Sequence, residues 1–376
     1  MKLPLSAIAR PADPASPQAL TVLTPSFESA GNPYLSCLWG AVRRQGVTVQ
    51  PYEPRRPIAE LKADPRRGDI LHLHWIQGFC KYDPARPLAS WRLLLGSLRN
   101  LRYLQSQGVS IVWTVHNSRS HDVAFPWPEE LFRWALAHLC DDVLVMSEYG
   151  RQELGEKYGR WKRVHCVPHG HYIGAYPHTL SRDEARSRLG LRPQQRVLLH
   201  LGHIKPYKGV DELLRCFRAI DDPEAVLVIA GACDGALGEA IAAEAAADPR
   251  VRLHLDFVED AAVQLYLEAA DWVVLPYRRI LNSGSALLAL SFGRPVVVPQ
   301  RGALPELITD GEQGLCYDQD ADLGVALRRA LMTPRDRWQQ YCARAEAQAR
   351  RYDWEPIGAQ LHEIYRQAIA HRRARR

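Results

Sequence analysis

The segment GHIKPYKG (202–209) places Lys205 and Lys208, two of only seven lysines among 48 basic residues, on a turn between a β-rich run and a helical pattern. Free backbone N–H groups and the positive end of a helix dipole add to ammonium charge at such a junction, so the chemistry expected there is phosphate binding. The residue order of a Walker loop is absent. A second segment, PYRRILNSGSALLALSFGRPVVVP (276–299), brings Arg278 and Arg279 to a strand end, followed by Asn282, Ser283, Gly284 and Ser285 ahead of an apolar helix. Asn282 or Ser283 can cap that helix, and a capped N-terminus facing a cleft is a second anion site. Together the two segments suit a diphosphate.

The first half of the chain offers proton chemistry. In LHLHW, His72 and His74 stand two apart, on one side of a strand, and Trp75 adds a flat apolar surface. VHNSRSHD carries His116, Asn117, Arg119, His121 and Asp122 past the end of the next apolar run. An imidazole or carboxylate at a strand's carboxyl end can take a proton from an incoming hydroxyl. His169 and His171 add to His74, His116 and His121 at strand ends. For each histidine alone, a hydrogen-bonded core side chain is the competing reading. No helical pattern pairs histidines at i, i+4 with a carboxylate, and the eight cysteines stand singly, so neither a metal site nor a disulfide framework is expected.

These loops need a scaffold that presents strand ends to one cleft. The runs at 19–25, 47–52, 69–75, 109–117, 143–147 and 163–170 read as strands alternating with helices at 88–107, 128–140 and 148–158. After HYIGAYPHTLS, Ser181 and Glu184 stand at capping-box spacing and a second series follows, with strands at 196–202, 225–231, 250–256, 272–277 and 295–300. Two helical patterns, 334–352 and 355–373, end the chain. The expected fold class is α/β: two Rossmann-like, doubly wound domains facing across a cleft. The divisions expected are a flexible leader at 1–18, a first domain at 19–175, a second at 176–352, and a last helix at 353–376.

Composition narrows the classes. Hydrophobic residues make up 47% and charged residues 24%, which is globular. No apolar run reaches the length of a membrane span and the N-terminus is a poor secretion signal, so a cytoplasmic protein is expected. The basic residues form no aromatic-interleaved stripe, which argues against nucleic acid. The segments 89–105 and 127–139 mix Trp, Leu and Arg; packing on the sheet is the default, and shallow contact with an anionic membrane the alternative, helped by the basic HRRARR end.

From the NPYL turn (32–35) to YDWEPIGAQLHEIY (352–365), the chain resembles GT-B fold glycosyltransferases. GHIKPYKG is similar to that family's G-R-L-x-x-x-K-G phosphate segment, with His203 at the usual arginine, Lys205 as its substitute, and Lys208 and Gly209 matching directly. RGALPELITDGEQGLCY (301–317) is similar to its G-G-x-x-E-x-I segment, with Glu306 in the acidic position. Retaining members carry E-x7-E before the G-x-P-V-V turn; here Ile280 and Leu288 stand at those positions. The NSGSALLALSFGRPVVVP version, with LHLHW, VHN and HGHY, more specifically resembles the GDP-mannose-dependent β-mannosyltransferases of xanthan-type exopolysaccharide assembly.

That resemblance implies an inverting, metal-independent transfer of a hexose from a nucleoside-diphosphate sugar, such as GDP-mannose, to a lipid-linked saccharide at the inner face of the cytoplasmic membrane, with no cofactor beyond the sugar nucleotide. It further implies a base in the VHNSRSHD loop (Asp122 first, then His121 and His116), with Glu28 a further candidate. His169 and Gly170 are expected beside the sugar or diphosphate, and Asp256, Phe257 and Val258 beside the nucleobase. Asn32, His74, Trp75 and Asn117 are expected on the acceptor side. Two rivals remain at this level: a retaining transferase or sugar-nucleotide epimerase, and a non-catalytic nucleotide-sugar sensor.

Overall fold

A computed structural model describes residues 20–27, 31–53, 68–80, 82–117, 126–233, 235–318 and 323–375. Strands β1 (Thr21–Thr24), β2 (Thr48–Pro51), β3 (Ile70–Leu73), β4 (Ser110–Thr114), β5 (Asp142–Val145) and β6 (Val164–Cys166) form one parallel sheet in the order β2-β1-β3-β4-β5-β6. Strands β7 (Arg196–Leu201), β8 (Ala225–Ala230), β9 (Val251–His254), β10 (Trp272–Val274), β11 (Val296–Pro299) and β12 (Gly314–Tyr317) form the second, also parallel, in the order β12-β11-β10-β7-β8-β9. Strands β3, β4, β5, β8 and β11 are buried along their whole length, which is why they read as continuous apolar runs. Strand β12 is not anticipated by composition; β11 recruits it as a four-residue edge, and the Asp310 carboxylate accepts its Cys316 N–H at 2.7 Å.

Strand order reverses between β1 and β3 in the first sheet and between β7 and β10 in the second. Such reversals open a crevice at the carboxyl ends of the strands, because the helices leaving them depart to opposite faces. The described loop residues at those ends are 25–27, 31–33 and 74–76 on one side and 202–209 and 275–283 on the other. These are the segments that carry the unusual chemistry.

The chain crosses back at its end. The Arg335–Arg350 helix packs Ala345 and Ala349 into the second domain. The Trp354–Ala374 helix instead buries Trp354, Ile357, Leu361, Ile364, Tyr365 and Ala368 in the first domain, beside Val22, Leu35 and Trp39. Asp353 caps that helix by accepting the Glu355 N–H at 2.9 Å. The Arg372 guanidinium near its far end bonds Asp141, whose other carboxylate oxygen accepts the Ile111 N–H at 2.8 Å.

Candidate active site

A cleft of about 1190 Å³ opens between the domains. On its second-domain wall, Lys208 ends a 3₁₀ turn at Pro206–Lys208 and is only 9% exposed. A methyl group on Gly202 would meet the Lys208 Nζ at 3.4 Å and the Ser285 Oγ at 3.8 Å, so ammonium and hydroxyl reach the same stretch of wall. Among the described residues Lys208 has no acidic partner, and burial alone lowers its pKa to about 8. Beneath it, burial and the lysine's charge hold His200 down at about 3, so no second cation competes. Among the described residues, Lys208 is a buried cation without an anionic partner.

Gly209 holds this turn. Its φ is +69°, and a Cβ there would lie 2.2 Å from the Pro276 carbonyl oxygen. Gly209 therefore serves by close backbone approach and not as a wall of the cleft. Gly209→Ala is expected to cost more than about 3 kcal/mol, from left-handed strain plus a backbone clash, read as a fall in melting temperature.

The Gly284–Ser291 helix points its N-terminus at the same space. Ser283 is the cap, its Oγ accepting the Ala286 N–H at 3.0 Å. Asn282 does not cap; its Oδ1 accepts the Ser147 hydroxyl at 3.3 Å, and its Nδ2 is buried with no partner. Arg278 and Arg279 both line the cleft, with different roles. Arg278 bonds Asp211 at 2.6 Å and the Pro206 carbonyl at 3.0 Å, which neutralises it, whereas Arg279 is exposed and unpaired among the described residues. Arg301, which sequence reasoning missed, also lines the cleft and donates to the Arg278 carbonyl. His203, Phe257 and Val258 line the cleft, with the Phe257 ring against Gly31 of the other domain. Lys205 and Asp256 lie outside the lining, Asp256 being exposed on the strand end beyond. Ile280 and Leu288 both face the cleft, so apolar side chains occupy that wall.

The first-domain histidines are arranged differently from the expectation. His74 is 2% exposed, its Nδ1 is 2.9 Å from His116 Nε2, and its own Nε2 has no partner. His72 is fully buried between Thr114 and the Tyr365 hydroxyl, each at 2.7 Å. Burial lowers His72 and His116 to about 3 and His74 well below the usual imidazole range. The Trp75 ring is stacked on His116, centroids 4.5 Å apart, so that face is taken. His74, Trp75 and His116 thus pack on one another and lie outside the lining of the cleft; an acceptor-binding role for His74 is corrected by its burial. Asn32 and Asn117 do line the cleft. Asn32 Oδ1 accepts the Tyr34 N–H at 3.0 Å and the hydroxyl of Tyr172 at 3.2 Å; Tyr172 packs in the core of the second sheet, before the division expected at 175, so the bond joins the two sides of the cleft. His169 lies 3.3 Å from Tyr172 Oη and faces Gly284, at the base of the donor turn. Gly170 is covered: a Cβ there would lie 2.3 Å from the Trp354 ring, so it packs under the last helix instead of lining the cleft. Glu28, His121 and Asp122 lie outside the described residues.

Glu306 is redirected too. Its carboxylate accepts the Glu148 and Tyr149 N–H groups, at 2.9 and 2.7 Å, on the N-terminus of the Glu148–Tyr158 helix in the first domain. Nearby Leu281, in the second domain's cleft loop, is buried in the first domain's core. These contacts hold the domains together over the cleft. Glu306→Ala is expected to leave both domains folded and to raise the KM for a sugar nucleotide about three- to tenfold, since one exposed, charge-assisted pair of bonds is lost. Steady-state kinetics with small-angle scattering checks this, a larger radius of gyration accompanying the weaker binding.

Comparison with known proteins agrees with this geometry. Residues 195–332 match the family described as glycosyl transferases group 1. The chain is 28% identical over 351 residues to a GDP-mannose:glycolipid 4-beta-D-mannosyltransferase of Xanthomonas campestris pv. campestris, covering 90% of this chain and 89% of that protein. It is 31% identical to a D-inositol 3-phosphate glycosyltransferase of Nocardia farcinica, over 66% of this chain and 57% of that one. Among solved structures it superimposes on sucrose-phosphate synthase from Thermosynechococcus elongatus with a TM-score of 0.76 at 18% identity, covering 94% and 100% of the two chains. Anabaena Alr3699/HepE in complex with UDP-glucose gives 0.72 at 15% identity, over 93% and 100%. The chain is a glycosyltransferase of GT-B fold that carries a glycosyl transferases group 1 domain.

Proposed function

We propose that the protein transfers a hexose, with inversion and without a metal, from a nucleoside-diphosphate sugar to a lipid-linked saccharide, and that the donor is GDP-mannose. The observation that carries this is Lys208: a buried ammonium without an acidic partner among the described residues, beside the N-terminus of the Gly284–Ser291 helix, at the switch point of the second sheet. A leaving diphosphate gains negative charge as the C1–O bond breaks, and preorganised cations and N–H dipoles stabilise that charge with little reorganisation. The acceptor hydroxyl oxygen forms the new bond to C1 from the opposite face, and its proton passes to a base of the VHNSRSHD segment, Asp122 first among the candidates.

Inversion is supported by Ile280 and Leu288, whose apolar side chains on the cleft wall offer no carboxylate to a positively charged sugar carbon. Mannose, guanine and the lipid-linked acceptor are supported by the similarity to the Xanthomonas mannosyltransferase acting on a glycolipid. A thermal-shift panel of nucleoside diphosphates and their sugars tests the donor, since a ligand bound by the native state raises stability by mass action. GDP and GDP-mannose are expected to give the largest shifts, unchanged by EDTA; a larger shift with UDP-sugars, or one that needs a divalent ion, would overturn the donor or the metal-independent reading.

A further inference from the structure

Two helices of the first domain carry a surplus apolar face. The Pro87–Ser106 helix buries Leu94, Leu101 and Leu104 in the core, and the Pro126–Leu139 helix buries Phe132, Leu136 and Ala137. Their outward faces would be polar if the helices only covered a sheet. Instead Leu88 (73% exposed) and Leu95 (61%) alternate with exposed Arg92, Arg99 and Arg102 on one helical stripe, spaced i, i+4, i+7, i+11, i+14. Trp127 (54%), Leu131 (45%) and Trp134 (50%) form the matching stripe on the neighbour, at i, i+4, i+7. The helices meet where the Trp91 and Trp127 rings stand 5.3 Å apart.

The charge on this face has one sign. The Pro87–Ser106 helix contains no acidic residue, and its three exposed arginines have no ion pair among the described residues. The carboxylates of the other helix turn away: Glu129 pairs with Arg133 at 2.7 Å in the interior, and Glu130 pairs with Lys157 at 2.8 Å. Tryptophan and leucine beside unpaired guanidinium groups match the interface of an anionic bilayer, where indole rings sit at headgroup depth and arginines meet phosphate. The face also has a functional position. Arg133 of the Pro126–Leu139 helix donates to the Asn117 carbonyl at 2.8 Å, and Asn117 lines the cleft, so this helix stands beside the first-domain wall of the cleft.

We propose that the outward stripes of these two helices are the membrane-docking face, binding an anionic lipid surface and turning the acceptor end of the cleft toward it. This deepens the lipid-linked acceptor reading and rests on it for purpose, while its test reads vesicle binding with no transfer step. In co-sedimentation, the wild-type chain is expected to bind phosphatidylcholine vesicles containing about one-third phosphatidylglycerol and to be released by salt. Leu131→Ser with Trp134→Ser, and separately Arg92→Glu with Arg99→Glu, should each cut the partition coefficient at least about tenfold. Circular dichroism and nucleotide binding should stay unchanged, because all four side chains are exposed.

Wild-type protein that ignores these vesicles, or variants that bind as the wild type does, would overturn the proposal. Sedimentation showing a wild-type dimer that these substitutions dissociate would overturn it in favour of a second copy of the chain. Loss of vesicle binding with intact transfer to a water-soluble acceptor saccharide supports the docking face. Vesicle binding without any transfer would leave that face standing and sink the transferase reading.

Discussion

Replacing Lys208 by methionine is expected to remove nucleoside-diphosphate binding and, at the same time, to raise the melting temperature of the ligand-free protein. The two effects share one cause. The ammonium is 9% exposed, meets no carboxylate among the described residues, and has its pKa pulled down to about 8 by burial. Losing a desolvated cation from a diphosphate site costs about 2–4 kcal/mol of binding, a thirty- to several-hundredfold loss of affinity.

The stability change has the opposite sign. A lysine whose folded pKa lies below its unfolded one binds fewer protons when folded, so wild-type stability climbs as pH rises from about 8 toward 10.5. Below pH 8 the full cost of the buried charge is present, roughly 3 kcal/mol at most. Methionine fills the same path without that cost, so the apo protein should melt several degrees higher at pH 7. Wild-type affinity for nucleoside diphosphates should fall as pH passes 8, and the residual affinity of Lys208→Met should not. Calorimetry across pH 6.5 to 9.5 with matched thermal melts reads both; a variant that binds normally, or that melts lower, shows that Lys208 is a structural cation only.

Asp122→Asn is expected to lower transfer about a thousandfold while leaving donor binding intact, as loss of a general base does. The described histidines are poorly placed for that part. His116 shares its Nε2 with His74 and its ring face with Trp75, and a proton on it would sit among His74, His72 and His169 with no counter-charge among the described residues. Burial first, and the neighbouring imidazoles after it, lower its pKa to about 3, so it stays neutral near pH 7. A carboxylate becomes neutral on taking the acceptor's proton, which avoids a new buried charge. His116→Ala should therefore cost about tenfold, through disturbed packing of Tyr34, His74 and Trp75, and leave the acid limb of the pH–rate profile in place, whereas Asp122→Asn should remove that limb. Near-normal turnover of Asp122→Asn moves the base to His121 or Glu28.

Much of this site can be seen in the residues alone because backbone topology, not long-range packing, sets it. A lysine pair on a strand-to-helix turn and a polar Asn-Ser-Gly-Ser turn before an apolar helix fall at a switch point whenever alternating strands and helices wind into a parallel sheet. Lys208, Ser283, Arg279 and Phe257 needed only that. What failed needed packing partners far away in sequence. His74 reads as a presented imidazole because nothing local says that Tyr34 and Trp39 from the first helix and His116 from the next strand's end pack against its ring. Gly170 reads as a cleft residue for the same reason, and Arg278 as a free cation until Asp211 neutralises it. Glu306 has a family position that suggests donor contact, but its two oxygens go to a helix N-terminus of the opposite domain. Strand β12 is four residues with a glycine, too short to carry a period.

One measurement reaches the centre: proton NMR of the product formed from GDP-mannose and a short-chain lipid-diphosphate saccharide. The expected product carries one added mannose with its anomeric configuration inverted to β, and it forms in EDTA. An α-linked product would mean retention despite the apolar Ile280 and Leu288 wall, and donor conversion without any acceptor would mean a different reaction; either result contradicts an inverting transfer driven from the Lys208 cleft.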